Sequence, residues 1–337
     1  MKKPADHPEA RTGRVGVLLV NLGTPGAPTA SAVRRYLAEF LSDPRVVEIP
    51  RIIWKPILHG IILNTRPRKS AHAYAQVWTE EGSPLAAITA AQANALQLRL
   101  GDSIRVDWAM RYGEPAIADR LMRLKEQGCD RILFAPLYPQ YSGATTASAL
   151  DALGDALKQM RWQPATRTLP PYHDDASYIE ALRADISRQL AALALEPQVL
   201  LLSFHGMPER TLHLGDPYYC QCRKTARLLS EALRPDYPSL RVETAFQSRF
   251  GKAKWLEPYT EDMLAKEASA GTKRLAIAAP GFSADCLETL EELAIRGRDQ
   301  FLSAGGEEFA AIACLNDSKA GMDMLQELIE RELSGWA

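Results

Sequence analysis

The chain has 337 residues, of which 46% are hydrophobic and 24% charged, so it can fill two ordinary domains and is neither disordered nor fibrous. Its 40 Lys and Arg residues nearly balance 41 Asp and Glu residues, which leaves no overall field to attract nucleic acid. The five cysteines are an odd number and mostly scattered, which excludes a disulfide framework and predicts a reducing, cytoplasmic compartment.

Short β-rich runs alternate with longer helical patterns, which predicts βαβ units and parallel sheets. The opening MKKPADHPEARTGR has no apolar core, so residues 1–14 are expected to form a disordered arm, not a signal peptide or membrane anchor. Helical patterns such as LAAITAAQANALQLRL and RKTARLLSEALR separate the strands. The predicted strands are 15–23, 104–113, 131–140, 198–206, 241–251, 274–283 and 309–316.

The two halves of the chain follow one plan. VLLVNLGTP at residue 17 matches VLLLSFHGMP at 199, and MRYG at 110 resembles SRFG at 248. LPPYHDD, near 169–175, is the best linker candidate, which divides the chain into lobes at 15–170 and 171–337. Each lobe is predicted to be an α/β, doubly wound, Rossmann-like domain with a parallel four-stranded sheet. Since such sheets bind ligands at the carboxyl ends of their strands, an active-site cleft is expected between the lobes.

His205 ends a predicted strand, and Gly206, Met207 and Pro208 follow it at once. A histidine at a strand end is often only a capped or buried structural residue. The turn that Met207 and Pro208 impose, matched by TPG in the first half, favours a shaped loop that directs His205 into the cleft.

A second candidate segment is PGFSADCLETLEEL, residues 280–293. Ser283 is a predicted N-cap, and Asp285 and Glu288 would share one face of the first helical turn. Acids in a first turn also simply offset the helix dipole. A neutral imidazole facing a carboxylate would suit Fe²⁺ or a proton relay, which makes His205 and Glu288 candidate metal ligands.

These residues carry a resemblance to the ferrochelatase family, enzymes that insert ferrous iron into protoporphyrin to make haem. The similar stretches follow the family order from about residue 15 to about residue 295. They are LLVNLGTPGAPT, RPRKSAHAYAQVW with EGSPL, MRYGEP, PLYPQYSGATT, SFHGMPER, FQSRFGKAKWLEPYT and FSADCLETLEEL.

The resemblance implies a chelatase-like fold, a metal site at His205 and Glu288, and a lid at 51–69. It also implies a set of residues around the macrocycle: Arg111, Tyr112, Tyr138, Ser142, Thr145 and Trp255. By residue type, Leu22 and Phe282 would add to an apolar slot that bends the ring. Arg111 or Arg249 could bind a propionate, unless each is a surface ion pair. Asp285 could pass on protons or iron beside Glu288.

Two departures from the family pattern concern cysteines. Cys286 stands where many relatives have a second histidine, and a thiol is a poorer proton acceptor and a softer ligand. Some relatives hold an iron–sulfur cluster on four cysteines, partly in a C-terminal tail. Here Cys220 and Cys222 could supply only two ligands, so no [2Fe–2S] cluster is expected, and substrate Fe²⁺ is the only metal required.

The segment RIIWKPILHGIILNTRPRK, 51–69, is too short an apolar run to cross a bilayer. Basic residues flank an apolar face with Trp54, a pattern typical of interfacial elements. One interpretation is peripheral contact with the inner face of the cytoplasmic membrane or with the preceding porphyrin enzyme. The other is a lid that only packs onto the cleft.

Three other functions are compatible with parts of this sequence. A dinucleotide-dependent oxidoreductase would share the fold, but NLGTPG is not GxGxxG and no acidic residue for a ribose follows. A cobalt or nickel chelatase of another tetrapyrrole would share fold and histidine. A non-catalytic porphyrin or haem carrier would need the cleft without a proton route, so truncation of Glu288 would leave its function unchanged.

Overall fold

The computed structural model describes residues 6–7, 11–193, 195–251 and 253–337, and these form two successive α/β lobes. The first lobe comprises β1 (Arg14–Gly23), α1 (Ala30–Phe40), α2 (Arg51–Ile57), a π-helical segment (Leu58–Ile62), α3 (Leu63–Val77), α4 (Pro84–Leu100), β2 (Ile104–Tyr112), α5 (Ile117–Glu126), β3 (Cys129–Pro136), a second π-helical segment (Gly143–Ala147), α6 (Ser148–Lys158) and β4 (Ala165–Thr168). The second comprises α7 (Ala176–Ala192), β5 (Val199–His205), α8 (Glu209–His213), α9 (Tyr218–Leu233), β6 (Arg241–Gln247), α10 (Thr260–Ser269), β7 (Arg274–Ala278), a third π-helical segment (Glu288–Gly297), α11 (Arg298–Ser303), β8 (Glu308–Ala311) and α12 (Lys319–Leu333).

Both sheets are parallel and have the same strand order, β2-β1-β3-β4 in the first lobe and β6-β5-β7-β8 in the second. The central strands β1 and β5 are buried almost throughout, as expected where helices cover both faces of a parallel sheet. The predicted class, two doubly wound lobes with four-stranded parallel sheets, is confirmed.

The predicted strands differ from the observed ones mainly at their ends. The pattern does not predict β4, because its four residues ATRT are largely exposed at a sheet edge and carry no apolar signal. The strands predicted at 131–140, 241–251, 274–283 and 309–316 end early, at Pro136, Gln247, Ala278 and Ala311. The apolar residues that follow Pro136, Gln247 and Ala278 therefore belong to loops at the carboxyl edges of the sheets.

The arm predicted for residues 1–14 lies outside the described residues except at 6–7 and 11–14, and β1 begins inside it. The predicted linker, 169–175, is irregular but well packed, since Tyr172 is buried against Tyr178 with ring centroids 5.3 Å apart. The C-terminal residues return to the first lobe, where the Arg167 guanidinium lies 4.2 Å from the Trp336 ring centroid. One apolar core thus spans both sheets, and a boundary at 170 stays a prediction.

The internal match between the halves holds in space, but with a shifted register. The Met110 N–H donates to Pro115 O at 2.8 Å, and the Phe246 N–H donates to Pro258 O at 2.8 Å. Met110 therefore corresponds to Phe246, not to Ser248 as the MRYG and SRFG letters suggest. On the neighbouring strands, Asn21 pairs with Met110 and Phe204 pairs with Phe246. Asn21 of the first lobe therefore corresponds to Phe204 of the second.

Residues 51–77 form a nearly continuous helical element over the cleft side of the first lobe. Leu58 and Leu63 are buried against a cluster that includes Tyr36 and Tyr112. Outward, Ile52 is 85% exposed, and Ile53 and Ile61 are more than half exposed. The predicted lid segment is therefore attached by one apolar face and presents another to its surroundings.

Candidate active site

His205 is the last residue of β5 and is half-buried at the carboxyl edge of the second sheet. Its Nδ1 lies 2.6 Å from the carbonyl oxygen of Gly206. That oxygen can only accept, so Nδ1 donates and Nε2 keeps its lone pair for a proton or a metal. Gly206 permits this turn, since a Cβ there would lie 2.6 Å from the carbonyl oxygen of Gln247 and 3.2 Å from the Trp255 ring.

Glu288 begins the third π-helical segment, on the loop that follows β7. Gln247 connects it to the His205 strand: its side-chain amide donates to Glu288 O at 3.4 Å, and its backbone carbonyl accepts from the Gly206 N–H at 2.7 Å. The predicted pair of His205 and Glu288 therefore lies on neighbouring segments of one sheet edge.

Glu292, one helical turn after Glu288, is a member of this cluster that the sequence hypothesis did not include. Its carboxylate accepts from the N–H and the hydroxyl of Ser248, at 2.8 and 2.6 Å. Burial raises the pKa of Glu292, and so does the charge of Glu288, while the Ser248 bonds and His205 lower it. The i, i+4 spacing of Glu288 and Glu292 is the sequence signal that could have identified it.

The first lobe presents aromatic hydroxyls and one arginine to Glu288. Burial raises the pKa values of Tyr36 and Tyr74, and the Glu288 charge raises both further. Burial lowers the pKa of Arg66, and the charge of Glu288 opposes this shift. The Arg66 guanidinium lies 4.5 Å from the Phe250 ring centroid, in the second lobe. The helical element 51–77 thus approaches the second lobe at the acidic cluster.

Asp285 occupies a different environment from the one predicted. Ser283 does not cap the helix, because its hydroxyl donates to Leu137 O and helical residues begin only at Leu287. Asp285 precedes the helix, and its carboxylate accepts from Thr289 Oγ1 at 2.8 Å and Asn316 Nδ2 at 2.7 Å. It is buried and stabilises the start of the helix, and does not share a first-turn face with Glu288.

Arg111 and Tyr112 belong to a buried polar network around Asp43. Asp43 Oδ2 accepts from Arg111 Nη2 at 2.6 Å, Tyr112 OH at 2.8 Å and Ser148 Oγ at 2.6 Å. Burial alone would raise the pKa of Asp43, but bonds from Ser148, Arg45 N–H and Tyr112, with the charge of Arg111, lower it. Arg111 is therefore already bonded through Nη2 to Asp43 and through Nε to Ser148, and its role toward a propionate stays a prediction.

The remaining macrocycle candidates lie in both lobes. Leu22 packs with Tyr138 in the first lobe, and Phe282 packs in a cluster with Met110. Trp255 pairs across a β-bridge with Pro208. Tyr138 OH, Thr146 Oγ1 and Trp255 Nε1 are buried without a hydrogen-bond partner in the described part of the chain.

The polar and cationic candidates differ in exposure. Ser142 is buried and caps the second π-helical segment by accepting from the Ala144 N–H, and half-buried Thr145 lies within that segment. Arg249 is exposed, with its guanidinium 4.4 Å from the Tyr259 ring centroid. Arg249 is therefore accessible to a carboxylate of a ligand, whereas Arg111 is half-buried and bonded to Asp43.

The cysteines are reduced and separate. Cys220 is exposed while Cys222 is buried, because residues two apart on a helix face nearly opposite sides. Burial and the nearby Glu288 raise the pKa of Cys286, so its thiol stays protonated beside the acidic cluster. Among the residues described, no group of three or more His, Cys, Asp or Glu side chains is arranged to hold a metal ion.

The family assignment rests on sequence similarity along nearly the whole chain. The family model described as Ferrochelatase matches residues 14–333. The chain belongs to the ferrochelatase family. Ferrochelatase of Agrobacterium fabrum strain C58 is 52% identical over 337 residues, covering 99% of this chain and 97% of that protein. Ferrochelatase of Rhizobium meliloti strain 1021 is 52% identical over the full length of both chains.

Solved structures give the fold. SirB from Bacillus subtilis with Fe³⁺ is similar with a TM-score of 0.57 and 12% identity, covering 96% of this chain and 98% of that one. The sirohydrochlorin chelatase SirB from Bacillus subtilis subspecies spizizenii in complex with cobalt has a TM-score of 0.55 and 10% identity, covering 96% and 97%. The predicted chelatase-like fold and family membership are both confirmed.

Proposed function

We propose that the protein inserts Fe²⁺ into protoporphyrin IX to form protohaem, the terminal step of haem biosynthesis. The proposal rests chiefly on one observation: His205, Glu288 and Glu292 form a single electrostatic cluster at the sheet edge that faces the aromatic side of the first lobe. Membership of the ferrochelatase family supports it.

The reaction exchanges two pyrrole N–H protons for one Fe²⁺ and releases two H⁺. His205 Nε2, whose lone pair is free when Nδ1 donates to Gly206 O, is suited to accept a pyrrole proton. Glu288 and Glu292 would then accept protons from His205 or hold the arriving iron, since a carboxylate and an imidazole are ligands that Fe²⁺ accepts. The bonds that hold Asp285 leave it a supporting role, to fix the turn before Glu288.

For the macrocycle, we assign the apolar walls to Leu22, Tyr138, Trp255 and Phe282. A tight apolar slot can maintain a bent ring, for which a strain of about 1–5 kcal/mol is typical. The unpartnered hydroxyl of Tyr138 and indole N–H of Trp255 favour a polar ligand between these walls.

The polar edge of the macrocycle would meet a second group of side chains. Ser142 and Thr145 are proposed for it, with Arg249 for a propionate. Arg66, half-buried on the element that covers the cleft, is an additional candidate for a propionate. Arg111 and Tyr112 would act indirectly, by holding the cleft side of β2 through Asp43.

We further propose that substrate Fe²⁺ is the only metal required, without a [2Fe–2S] cluster, and that the protein acts in the cytoplasm. In the described part of the chain, every helix is too short or too polar to cross a bilayer. The exposed Ile52, Ile53 and Ile61 support peripheral contact at residues 51–69, with the inner face of the membrane or the preceding porphyrin enzyme. If the contact is with the membrane, the protein should co-sediment with anionic lipid vesicles, and Ile52→Ser should weaken this binding. Sedimentation that Ile52→Ser does not change would exclude membrane contact through this segment.

The deciding experiment is anaerobic insertion of Fe²⁺ into protoporphyrin IX, followed by absorbance, for the wild type, His205→Ala and the control His213→Ala, an exposed histidine on α8. Turnover by the wild type and control, with loss in His205→Ala at unchanged thermal stability, is the expected result. Porphyrin binding without metallation would instead indicate a carrier. Insertion of Co²⁺ or Ni²⁺ but not Fe²⁺ would indicate a chelatase of another metal.

A further inference from the structure

The loop after β3, residues 137–147, carries Tyr138, Ser142 and Thr145 but is held by the other lobe. Asp216, just before α9, accepts through Oδ2 from the Gly143 N–H at 2.7 Å and from Ser142 Oγ at 3.5 Å. Its Oδ1 accepts from the Tyr218 N–H at 3.0 Å. One carboxylate therefore connects the start of α9 in the second lobe to the second π-helical segment in the first.

Two more α9 side chains hold the same loop. Gln221 Oε1 accepts from the Tyr141 N–H at 2.6 Å, and Thr225 Oγ1 accepts from Gln140 Nε2 at 3.0 Å. We call Asp216, Gln221 and Thr225 the α9 anchor. Because the anchor binds residues 140, 141 and 143 in succession, the loop cannot shift relative to the second lobe without breaking several buried or half-buried bonds.

The anchored loop carries two buried hydroxyl groups without a hydrogen-bond partner in the described part of the chain. Tyr138 OH and Thr146 Oγ1, on either side of the anchored residues, are both buried and without a hydrogen-bond partner in the parts of the chain described. Buried polar atoms usually have a hydrogen-bond partner in the protein, in water or in a ligand, so these two hydroxyls are available to a bound macrocycle. The loop is held by hydrogen bonds to the second lobe, while two of its hydroxyls have no partner in the described part of the chain. Such a loop is pre-organised to bind a ligand, because the entropy cost of ordering it is met before the ligand arrives.

We propose that Asp216 and Gln221 are positioning residues for the macrocycle: they hold the macrocycle-binding loop of the first lobe in register with His205 of the second. This inference rests on the proposed function. Neither residue is proposed to touch the reacting atoms. They set the position of the ring relative to the metal site, and their loss weakens porphyrin binding without removing the proton acceptors.

The test compares Gln221→Leu, which removes the acceptor, with Gln221→Glu, which keeps an oxygen for the Tyr141 N–H, and with Asp216→Ala. In Fe²⁺ insertion assays, Gln221→Leu and Asp216→Ala are expected to raise KM for protoporphyrin about tenfold, the size expected when a charge-assisted or backbone hydrogen bond is lost. KM for Fe²⁺ should change by less than about twofold, and Gln221→Glu should restore most of the porphyrin affinity. The control is Arg227→Ala, an exposed α9 residue bonded only to Glu231 among the contacts found.

Porphyrin dissociation constants, measured by fluorescence quenching without iron, separate this inference from the proposed function. A wild type that binds porphyrin but does not metallate it would contradict the function and leave the binding comparison intact. Equal porphyrin affinity in wild type, Gln221→Leu and Asp216→Ala would overturn the inference. So would a loss of affinity in Gln221→Leu that Gln221→Glu shares in full.

Discussion

The two lobes have the same sheet and differ at its carboxyl edge. In the shared frame set by Met110 and Phe246, Leu22 of the first lobe corresponds to His205 of the second. The loop that returns to Pro115 in the first lobe is short, whereas the loop that returns to Pro258 is longer and carries Ser248, Arg249 and Trp255. At this matched position the first lobe thus carries an apolar side chain and the second a titratable one.

The charges at the two edges are also handled differently. In the first lobe, Asp43 and Arg111 form an ion pair with Arg111 Nη2 2.6 Å from Asp43 Oδ2, and this pairing fixes structure. In the second, the half-buried Glu292 lies beside Glu288, and Arg296 Nη2 lies 3.7 Å from the Glu292 carboxylate. Like charges held together cost stability, and proteins keep them mainly where they are used. The comparison therefore supports the proposal that the second lobe provides the chemistry and the first lobe the shape of the binding site.

The largest effect is expected from Glu288→Gln in the second lobe. Removing an acid that accepts protons or metal should lower turnover by about 100-fold or more, while porphyrin affinity stays within about threefold. Stopped-flow metallation and fluorescence quenching measure the two quantities. Glu330→Gln, an exposed acid on α12, is the matched control. A parallel loss of porphyrin affinity would mean that the lobes do not divide binding and chemistry in this way.

The next effect concerns stability and comes from Asp43→Ala in the first lobe. Removing the partner of Arg111 leaves a largely buried charge unpaired and should cost about 3 kcal/mol in the free energy of unfolding at pH 7. The pKa of Asp43 is lowered in the folded state, so its contribution is present above the unfolded pKa of about 3.9 and is lost as pH falls through the lower folded value.

Urea unfolding at pH 7 and at about pH 4 measures the free energy of unfolding of Asp43→Ala and of the wild type. The difference between the two free energies should begin to shrink only at the lower pH. Asp119→Ala, an exposed acid on α5, is the control. A difference that grows on acidification would contradict the sign of the Asp43 shift.

A smaller effect is expected from Leu22→Ala, the counterpart of His205. Loss of apolar contact worth about 1 kcal/mol should raise KM for porphyrin about fivefold, with the pH profile of turnover unchanged. Leu98→Ala, at a side chain 86% exposed, is the control. A shift of the pH profile in Leu22→Ala would show that the first lobe takes part in proton transfer.

The sequence predicts the sheets well, because continuous apolar runs such as VGVLLVNLG are a strong signal for buried parallel strands. It also points to His205, since a polar residue that ends an apolar run at a turn stands out, and the structure places Glu288 on a neighbouring segment of the same sheet edge. It does not predict where Arg111 points. The Asp43 carboxylate that binds Arg111 lies 68 residues earlier in the chain, and no local pattern connects them.

The helix start near Glu288 shows a second limit. Ser283 has the sequence of an N-cap, but its hydroxyl bonds to Leu137 in the other lobe, and the helix begins later. A tertiary contact outweighs a local preference worth about 1 kcal/mol. The i, i+4 spacing from Glu288 is a sequence signal for Glu292. The sequence does not predict the bonds that Ser248 donates to Glu292, because they depend on a backbone φ of 64° at Ser248 that the fold imposes.

The smallest effect is expected from Ser248→Gly, which tests the electrostatics of the second edge. Glycine accepts the positive φ of residue 248 and keeps the N–H bond to Glu292, so only the hydroxyl bond is lost. That bond favours the ionised carboxylate, so its loss raises the pKa of Glu292 further above its usual value. If Glu292 must be ionised to accept protons, the acidic limb of kcat/KM moves to higher pH, with a change in rate of less than about tenfold at any one pH. Metallation rates between pH 5 and 9 measure the limb, and a limb that stays in place would remove Glu292 from the proton route and leave His205 and Glu288 to carry it.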